Sequence, residues 1–335
     1  MAQQNPIKTS VALCTYNGES FIKEQLNSIL NQNVPVNEIV ICDDCSVDNT
    51  WSILEEYKNF FPAVFKLYKN SDNLGFFNNF EKCLSLTTNE LVFLSDQDDI
   101  WHTDKTEVII NFFINNPEKE VVFTNADLVG QLNTTHKKMW DTLNFDRNKQ
   151  EAVNNPVNSF AWLIEHGNVA TGATMALRNK DKYLPFFKFE HMLHDGYITL
   201  IAAACGKLYC IDRCLIDYRQ HPQQYLGAQD QPGEKQPDYK KVLQKIKNLS
   251  WFYRYSPAYM LNKINLLKDV SGKTNNMYCR SLLKSEELRY KYYNNRFKLV
   301  VPFFLGHYKQ YGGFMLFVRE LLGKNSQKDI SGTIK

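Results

Sequence analysis

Residues 91–105 read LVFLSDQDDIWHTDK, and the passage from apolar to acidic inside them decides the fold. Leu91 to Ser95 are apolar or small, the pattern of a short strand buried on both faces. The strand runs directly into Asp96, Gln97, Asp98 and Asp99. Carboxylates crowded at the end of a buried strand repel one another and lose solvation. A divalent cation is the simplest offset, and oxygen ligands suit magnesium or manganese, whose shell is completed by water and phosphate. The plainer alternative is an acidic turn capping the helix that begins near Asp104. For this stretch alone both readings stay open.

Working outward, strands and helices alternate. Residues 7–14 (IKTSVALC) read as a strand, followed by the polar loop Thr15-Tyr16-Asn17-Gly18-Glu19. Residues 20–31 place Phe21, Ile22, Leu26, Ile29 and Leu30 at helical spacing. Residues 38–42 (EIVIC) are a second buried strand that runs into Asp43-Asp44, with cap-type residues before a helix at about 50–59. A third strand at 65–69, a turn at 70–75 and a helix at 76–86 lead to the central strand. Beyond it the spacing predicts a helix at 105–115, a strand at 120–125 and a polar region to about 158 that carries no clear period. A short helix at 160–167, a small-residue loop GNVATGA and a strand at 174–178 follow. His194-Asp195 opens a helix running to 205, and strands at 207–210 and 214–218 lead into Arg219-Gln220-His221. Such alternation predicts an α/β fold with a mostly parallel sheet flanked by helices. Ligands then collect at the carboxyl ends of the strands, where three polar ends converge here.

Composition narrows the function classes. The chain has 335 residues, 44% of them hydrophobic, and a formal net charge of +3, so nothing global points to nucleic acid. The N-terminal residues are polar and give no sign of a leader. The longest apolar runs, such as 299–305, are too short to span a bilayer. The eight cysteines lack a secreted-domain spacing and are expected to be reduced thiols in the cytoplasm. Cys42 and Cys45 form a CxxC with no second pair. Residues 1–228 are expected to be the catalytic domain, 229–239 a linker rich in Pro, Gln and charge, and 240–335 a helical C-terminal region.

Taken in order, CTYNGE (14–19), ICDDCSVDNT (41–50), NLGFFNNF (73–80), SDQDDIW (95–101), GNVATGATMAL, HD (194–195) and YRQH resemble family 2 glycosyltransferases. The likeness is to the glycosyltransferase-A fold, a Rossmann-like sheet, and to the bacterial rhamnosyltransferase-like branch. It covers about two thirds of the chain and implies roles residue by residue. Thr15, Tyr16, Asn17 and Glu19 fall where the first loop receives the nucleotide. Asp44 falls where a carboxylate accepts the N3–H of uracil or thymine. Asn73 and Asn79 lie near the nucleotide–sugar junction. Asp96, Gln97 and Asp98 make the DxD, with Asp96 nearer the ribose and Asp98 a ligand of Mn2+ or Mg2+. Asp195 takes the place of the catalytic base, Arg219 adds charge near the diphosphate, and His221 approaches the metal. The acidic residue usual before the base is His194 here.

The resemblance implies inverting, metal-dependent transfer from a UDP- or dTDP-sugar to a hydroxyl of a saccharide or lipid-linked acceptor, in bacterial cell-surface polysaccharide synthesis. A metal-dependent nucleotidyltransferase would want a basic, Gly-rich loop early in the chain, and CTYNGES carries no Lys or Arg. A sugar-nucleotide-binding scaffold without turnover would not need Asp96, Asp98 and Asp195 together. For the tail two readings stand. Its aromatics pack helices onto the catalytic domain, or the runs 297–305 and 314–322 form an interfacial membrane surface with the neighbouring Lys and Arg.

Overall fold

The structure, a computed structural model, describes residues 7–130, 137–186, 192–221 and 257–292. The linker expected at 229–239 and the runs 297–305 and 314–322 lie outside the described residues.

The chain opens with β1 (Thr9–Thr15), α1 (Ile22–Leu30), β2 (Glu38–Asp43), α2 (Thr50–Phe60), β3 (Phe65–Lys69), α3 (Gly75–Leu86) and β4 (Leu91–Ser95). These bounds lie within a few residues of those read from hydrophobic period. β1 pairs in parallel with both β2 and β4, and β2 pairs in parallel with β3. Val11 to Leu13, Ile39 to Ile41 and Leu91 to Leu94 are buried, as strands covered by helices on both faces must be. The register sets Thr15 beside Asp43 and Leu13 beside Ser95, so three polar strand ends emerge on one edge.

Past β4 the sheet is mixed. β5 (Ile100–Trp101), α4 (Lys105–Asn115), β6 (Val121–Gly130), β7 (Lys137–Lys138), α5 (Met139–Thr142), α6 (Arg147–Asn154), α7 (Ser159–His166), β8 (Met175–Arg178), α8 (His194–Ala204) and β9 (Leu208–Gln220) follow in order. The strand order is β3-β2-β1-β4-β8-β6-β9-β5, with β7 on β6. β8 runs antiparallel to β4 and β6, and β5 antiparallel to β9, while β6 and β9 pair in parallel, so only the N-terminal strands β1 to β4 are parallel throughout. The two strands expected at 207–210 and 214–218 are one strand, β9. Register shifts against β6 around Thr124 and Asn125 let Asp212 and Arg213 bulge outward, exposed. The aperiodic stretch before 158 holds α5 and α6, anchored by buried Met139, Trp140, Phe145 and Val153. Their spacing is too broken to register as a helix period.

The described residues belong to two compact units, the first ending within 192–232 and the second lying mainly in 233–335. In the second, α9 (Pro257–Lys273) and α10 (Met277–Tyr292) form a helical pair. Ile264, Leu267 and Val270 of α9 and Cys279 and Leu282 of α10 are buried, and Lys263 Nζ meets Glu286 at 2.8 Å. No helix among the described residues is long and apolar enough to cross a membrane.

One buried acid ties β6 to the loops around it. Glu120, 6% exposed, accepts from Lys182 Nζ at 2.9 Å, Tyr183 Oη at 3.0 Å and Lys207 Nζ at 2.9 Å. Burial raises its carboxyl, but the two ammonium groups outweigh burial and hold it below its ordinary value. Such a group stabilises the fold above the unfolded value of 4.5, and the contribution fades as pH falls through the lower folded value. Glu120→Ala is expected to cost about 2 kcal/mol at neutral pH, because both lysines are partly solvated. Urea unfolding at pH 7 and pH 3.5 checks this; a loss that does not shrink at the lower pH would sink it.

Candidate active site

The loop after β1 is shaped by side chains from three strand ends. Thr15 Oγ1 donates to Asp43 Oδ1 at 2.9 Å. Gln97 acts as a strand partner for Tyr16, accepting from its N–H at 2.9 Å and donating to its carbonyl at 3.0 Å. A Cβ on Gly18 would lie 2.3 Å from Gln97 Oε1, so glycine is what admits this clasp. Asn17 takes a positive φ of 48°, a conformation that asparagine tolerates. Its N–H donates to Ser46 Oγ and its Oδ1 accepts from Val47 N, both at 2.9 Å. Glu19 accepts from the N–H and the side chain of Asn49.

Asp44 is buried and organises the next loop. Its Oδ1 accepts from Asn70 Nδ2 at 2.7 Å and Leu74 N at 2.8 Å, and its Oδ2 from Gly75 N at 2.9 Å. Asn73 Nδ2 donates to the Asp44 carbonyl at 3.0 Å, and Asn79 Nδ2 to the Cys42 carbonyl at 2.9 Å. A carboxylate offers about four lone-pair sites, so Oδ2 keeps one acceptor position.

The DQDD turn is held from behind. Gln25, buried in α1, accepts from Ser95 Oγ at 2.7 Å and Trp101 Nε1 at 3.1 Å and donates to the Asp99 carbonyl. Lys105, fully buried, donates to the Ala173 carbonyl at 2.8 Å and lies 3.9 Å from the Trp101 ring centre. Arg219 donates from Nε to the Asp98 carbonyl at 2.8 Å and from Nη2 to Glu24 Oε2 at 2.5 Å, while its backbone N–H reaches Asp99 Oδ1 at 3.2 Å.

Charge in the turn is poorly balanced. Burial first, then Asp98 and Asp195, push the Asp96 carboxyl up to about 7. Asp99 is raised well above its ordinary value by burial and by Asp98 and Asp96, and its Oδ2 finds no hydrogen bond. Burial pushes the Lys105 amine down to about 7, against the pull of Asp99 and Asp96. Asp98 Oδ2 and His221 Nε2 stand 2.7 Å apart, an oxygen and a nitrogen donor on one point. Among the described residues no third His, Cys, Asp or Glu offers a ligand atom within 4.8 Å of both. Surplus buried carboxylate with two convergent donors fits a divalent cation that completes its shell with water and phosphate.

Asp195, in the first turn of α8, is 9% exposed. Burial pushes its carboxyl up to about 6, against backbone hydrogen bonds from Gly196 and Gly172. His194 stacks on Phe80 with ring centres 4.2 Å apart and meets the edge of Phe76. Both its ring nitrogens are buried without a hydrogen-bond partner, and burial pushes the imidazole down to about 3, so it is neutral.

One cavity of about 880 Å³ collects Thr15, Tyr16, Asn17, Asp44, Asn73, Asn79, Asp96, Gln97, Asp98, Asp195 and His221. Two residues expected among them, Glu19 and Arg219, are not in its lining. Glu19 fastens the start of α2, and Arg219 grips the back of the turn that carries Asp98. Sequence order passed over Tyr218, Phe76, Phe80 and the α5 residues Met139 and Thr142, all of which line the cavity. The paired phenylalanines of NLGFFNNF were the available signal for the aromatic wall; α5 left none.

Glycosyl transferase family 2 matches residues 10–183, just over half of the chain and the part that builds these strand ends. The chain belongs to glycosyl transferase family 2. It is a glycosyltransferase, with the α/β fold of the glycosyltransferase-A class. The dTDP-rhamnosyl transferase RfbG of Shigella flexneri is 28% identical over 230 residues, which are 64% of this chain and 74% of that protein. The putative teichuronic acid biosynthesis glycosyltransferase TuaG of Bacillus subtilis is 32% identical over 105 residues, 31% of this chain and 41% of the relative. The chain thus aligns with about three quarters of the first and about two fifths of the second. The crystal structure of S. aureus TarS 1-349 in complex with UDP-GlcNAc superposes with a TM-score of 0.49 at 16% identity, covering 85% of this chain and 92% of that one.

In this transferase Asp44 fastens residues 70–75 whatever it does for a ligand. Asp44→Ala leaves Leu74 N without its acceptor and takes one of two acceptors from Asn70 Nδ2 and Gly75 N, which keep Asn79 Oδ1 and Asn73 Oδ1. An unmet buried donor costs about 1–3 kcal/mol. Hydrogen exchange is expected to speed up at the amides of residues 74–75; unchanged protection there would refute the assignment.

Proposed function

We propose that this transferase moves a sugar from a UDP- or dTDP-sugar to a hydroxyl of a saccharide or lipid-linked acceptor. Transfer proceeds with inversion at the anomeric carbon and with Mn2+ or Mg2+, in bacterial cell-surface polysaccharide synthesis at the cytoplasmic side of the membrane. The observation that carries the reading is the meeting, in one cavity, of a spare acceptor on Asp44, the Asp98–His221 donor pair and a buried carboxylate with a raised pKa on Asp195. The names of the two relatives, a dTDP-rhamnosyl transferase and a teichuronic acid biosynthesis enzyme, agree with the donor and the process.

Residues 15–17 receive the nucleotide, with Gln97 holding the Tyr16 backbone in place. The free lone pair on Asp44 Oδ2 selects a base that presents an N–H, as uracil and thymine do. Asn73 and Asn79 keep that loop closed beside the nucleotide–sugar junction, and Asp96 faces the ribose. Asp98 and His221 hold the cation, which supplies positive charge to the departing diphosphate. Glu19 and Arg219 act as braces, for the nucleotide loop and for the turn that bears Asp98. Asp195 takes the proton of the acceptor hydroxyl as that oxygen attacks. A single displacement needs one base and no carboxylate nucleophile, so the sugar inverts.

The test is nucleotide release from a panel of UDP-, dTDP- and GDP-sugars after chelator treatment, with and without Mn2+. Release from a UDP- or dTDP-sugar only in the presence of metal is expected. Undiminished turnover in excess chelator, or turnover of GDP-sugars alone, would overturn the reading.

Asp195 yields a second outcome with a definite sign. The base works deprotonated, so kcat/KM is expected to fall as pH drops through about 6 and to level off above it. Asp195→Asn should retain donor affinity within a few-fold and lose about 10²–10⁴ in transfer rate. A wild-type profile flat between pH 5 and 7, or a variant within a few-fold of wild type, would assign the proton to another group.

A further inference from the structure

Three side chains outside the cavity meet on the far strands of the sheet: His102 just beyond β5, Asp127 in β6 and Asp217 in β9. His102 Nε2 lies 2.7 Å from Asp217 Oδ1 and 4.0 Å from Asp127 Oδ2. The three ligand atoms all fall within 4.8 Å of one another. The sheet register forces the meeting, because Asp217 is the partner both of Asp127 in β6 and of Ile100 in β5. Two carboxylates opposite each other on neighbouring strands repel. Without metal the His102 ring, raised by its hydrogen bond to Asp217, answers part of that charge, and a divalent cation in place of the ring proton would answer more. The side chains are 31%, 38% and 32% exposed, open enough for an ion to enter. The transfer reaction uses none of them.

We propose that His102, Asp127 and Asp217 form a second divalent-cation site, of zinc or manganese type, that braces β5, β6 and β9. An ion with bonds of about 2.1 Å holds its ligand atoms about 3–4 Å apart. The 4.0 Å separation of His102 and Asp127 thus already fits, and the 2.7 Å contact of His102 with Asp217 has only to open slightly. The His102 ring also hydrogen-bonds the backbone of Cys214. A metal-bound histidine is held in this way, its other nitrogen tied to a carbonyl so that the ring cannot swing. The Cys214 thiol hydrogen-bonds Asp127. The brace also has a structural use. β5 is only two residues long, so its pairing with β9 rests on very few ladder bonds. The segment before β5 carries Asp98, and β9 runs on from Asp217 to Arg219 and into His221, so one ion ties together the two stretches that meet at the Asp98–His221 pair.

Zn2+ alone is the probe, titrated calorimetrically into the full chain after chelator treatment, in reducing buffer. Asp98→Asn serves as the background, which removes the other donor pair. One equivalent of Zn2+ is expected to bind and to raise the Tm by about 2–5 °C at saturation. His102→Gln and Asp217→Asn in that background should each weaken binding at least tenfold and abolish the rise in Tm, with the metal-free Tm little changed. If either unfolds without metal, Asp127→Asn, at the most exposed of the three positions, gives the same readout. Failure of the background protein to bind Zn2+, or equal affinity in the background and the variants, overturns the site.

Discussion

Negative charge crowded into a buried volume is the constraint on which the rest of this structure depends. Asp96, Asp98, Asp99 and Asp195 all act on one another or on Tyr218, whose phenol is pushed up by burial and by all four. Lys105 answers only part of that charge, since burial drives its own amine down to about 7. Three braces keep the turn from escaping into water. Gln25 ties it to α1, Lys105 to the Ala173 carbonyl and Arg219 to Glu24. Those braces consume conformational freedom and desolvate polar groups, which stability alone gives no reason to do. They become intelligible once the turn must present a concentrated charge at a fixed place.

The N-terminal half of the fold was legible because its signals are local. β3, β4 and α4 carry short apolar runs or a helical period bounded by polar turns, and their bounds match the reading to the residue. β9 was read as two strands because Asp212 and Arg213 interrupt its alternation; a bulge hides inside a sequence as an ordinary polar break. α5 and α6 were not legible, since Met139, Trp140, Phe145 and Val153 are anchors set by tertiary packing. Within the site, order along the chain found most of the residues that share the cavity but not which way each side chain points. Glu19 and Arg219 sit beside residues that line it and face away, toward Asn49 and Glu24. Gln25 looked like one more polar residue on a helix, yet it is wholly buried against Ser95 and Trp101.

The cavity has two faces of different chemistry, and topology separates them. The ends of β1, β2 and β4, all parallel, supply Thr15, Asp44, Asp96 and Asp98. A second group of lining residues comes from α3, α5 and its C-terminal end, and the approach to α8, with Phe76, Phe80, Met139, Leu143 and Leu193. Charged and hydrogen-bonding parts of a substrate are served by the first face, and rings or alkyl surface by the second. The polar face rests on regular strands and is thereby rigid. The apolar face is assembled from short helices and loops, where a few changes of side chain alter shape without disturbing the sheet.

Two buried acids near this junction have raised pKa values for different reasons, and the difference assigns them different work. Asp96 is raised by burial together with Asp98 and Asp195, so its proton depends on the charge that enters beside it. Asp195 is raised by burial alone and drawn back by the amides of Gly196 and Gly172. Its neighbour His194, stacked on Phe80 and neutral, adds no charge to that balance. A carboxylate at position 194 would add repulsion and push Asp195 higher still. A protonated imidazole there would pull it down. With a neutral ring held in place by phenylalanines, the basicity of Asp195 is set by its own burial and two backbone amides. The coupling to Asp96 remains, since Asp195 raises that carboxyl and the repulsion is mutual, so neutralising the acidic side of the cavity lowers the proton affinity of Asp195 as well.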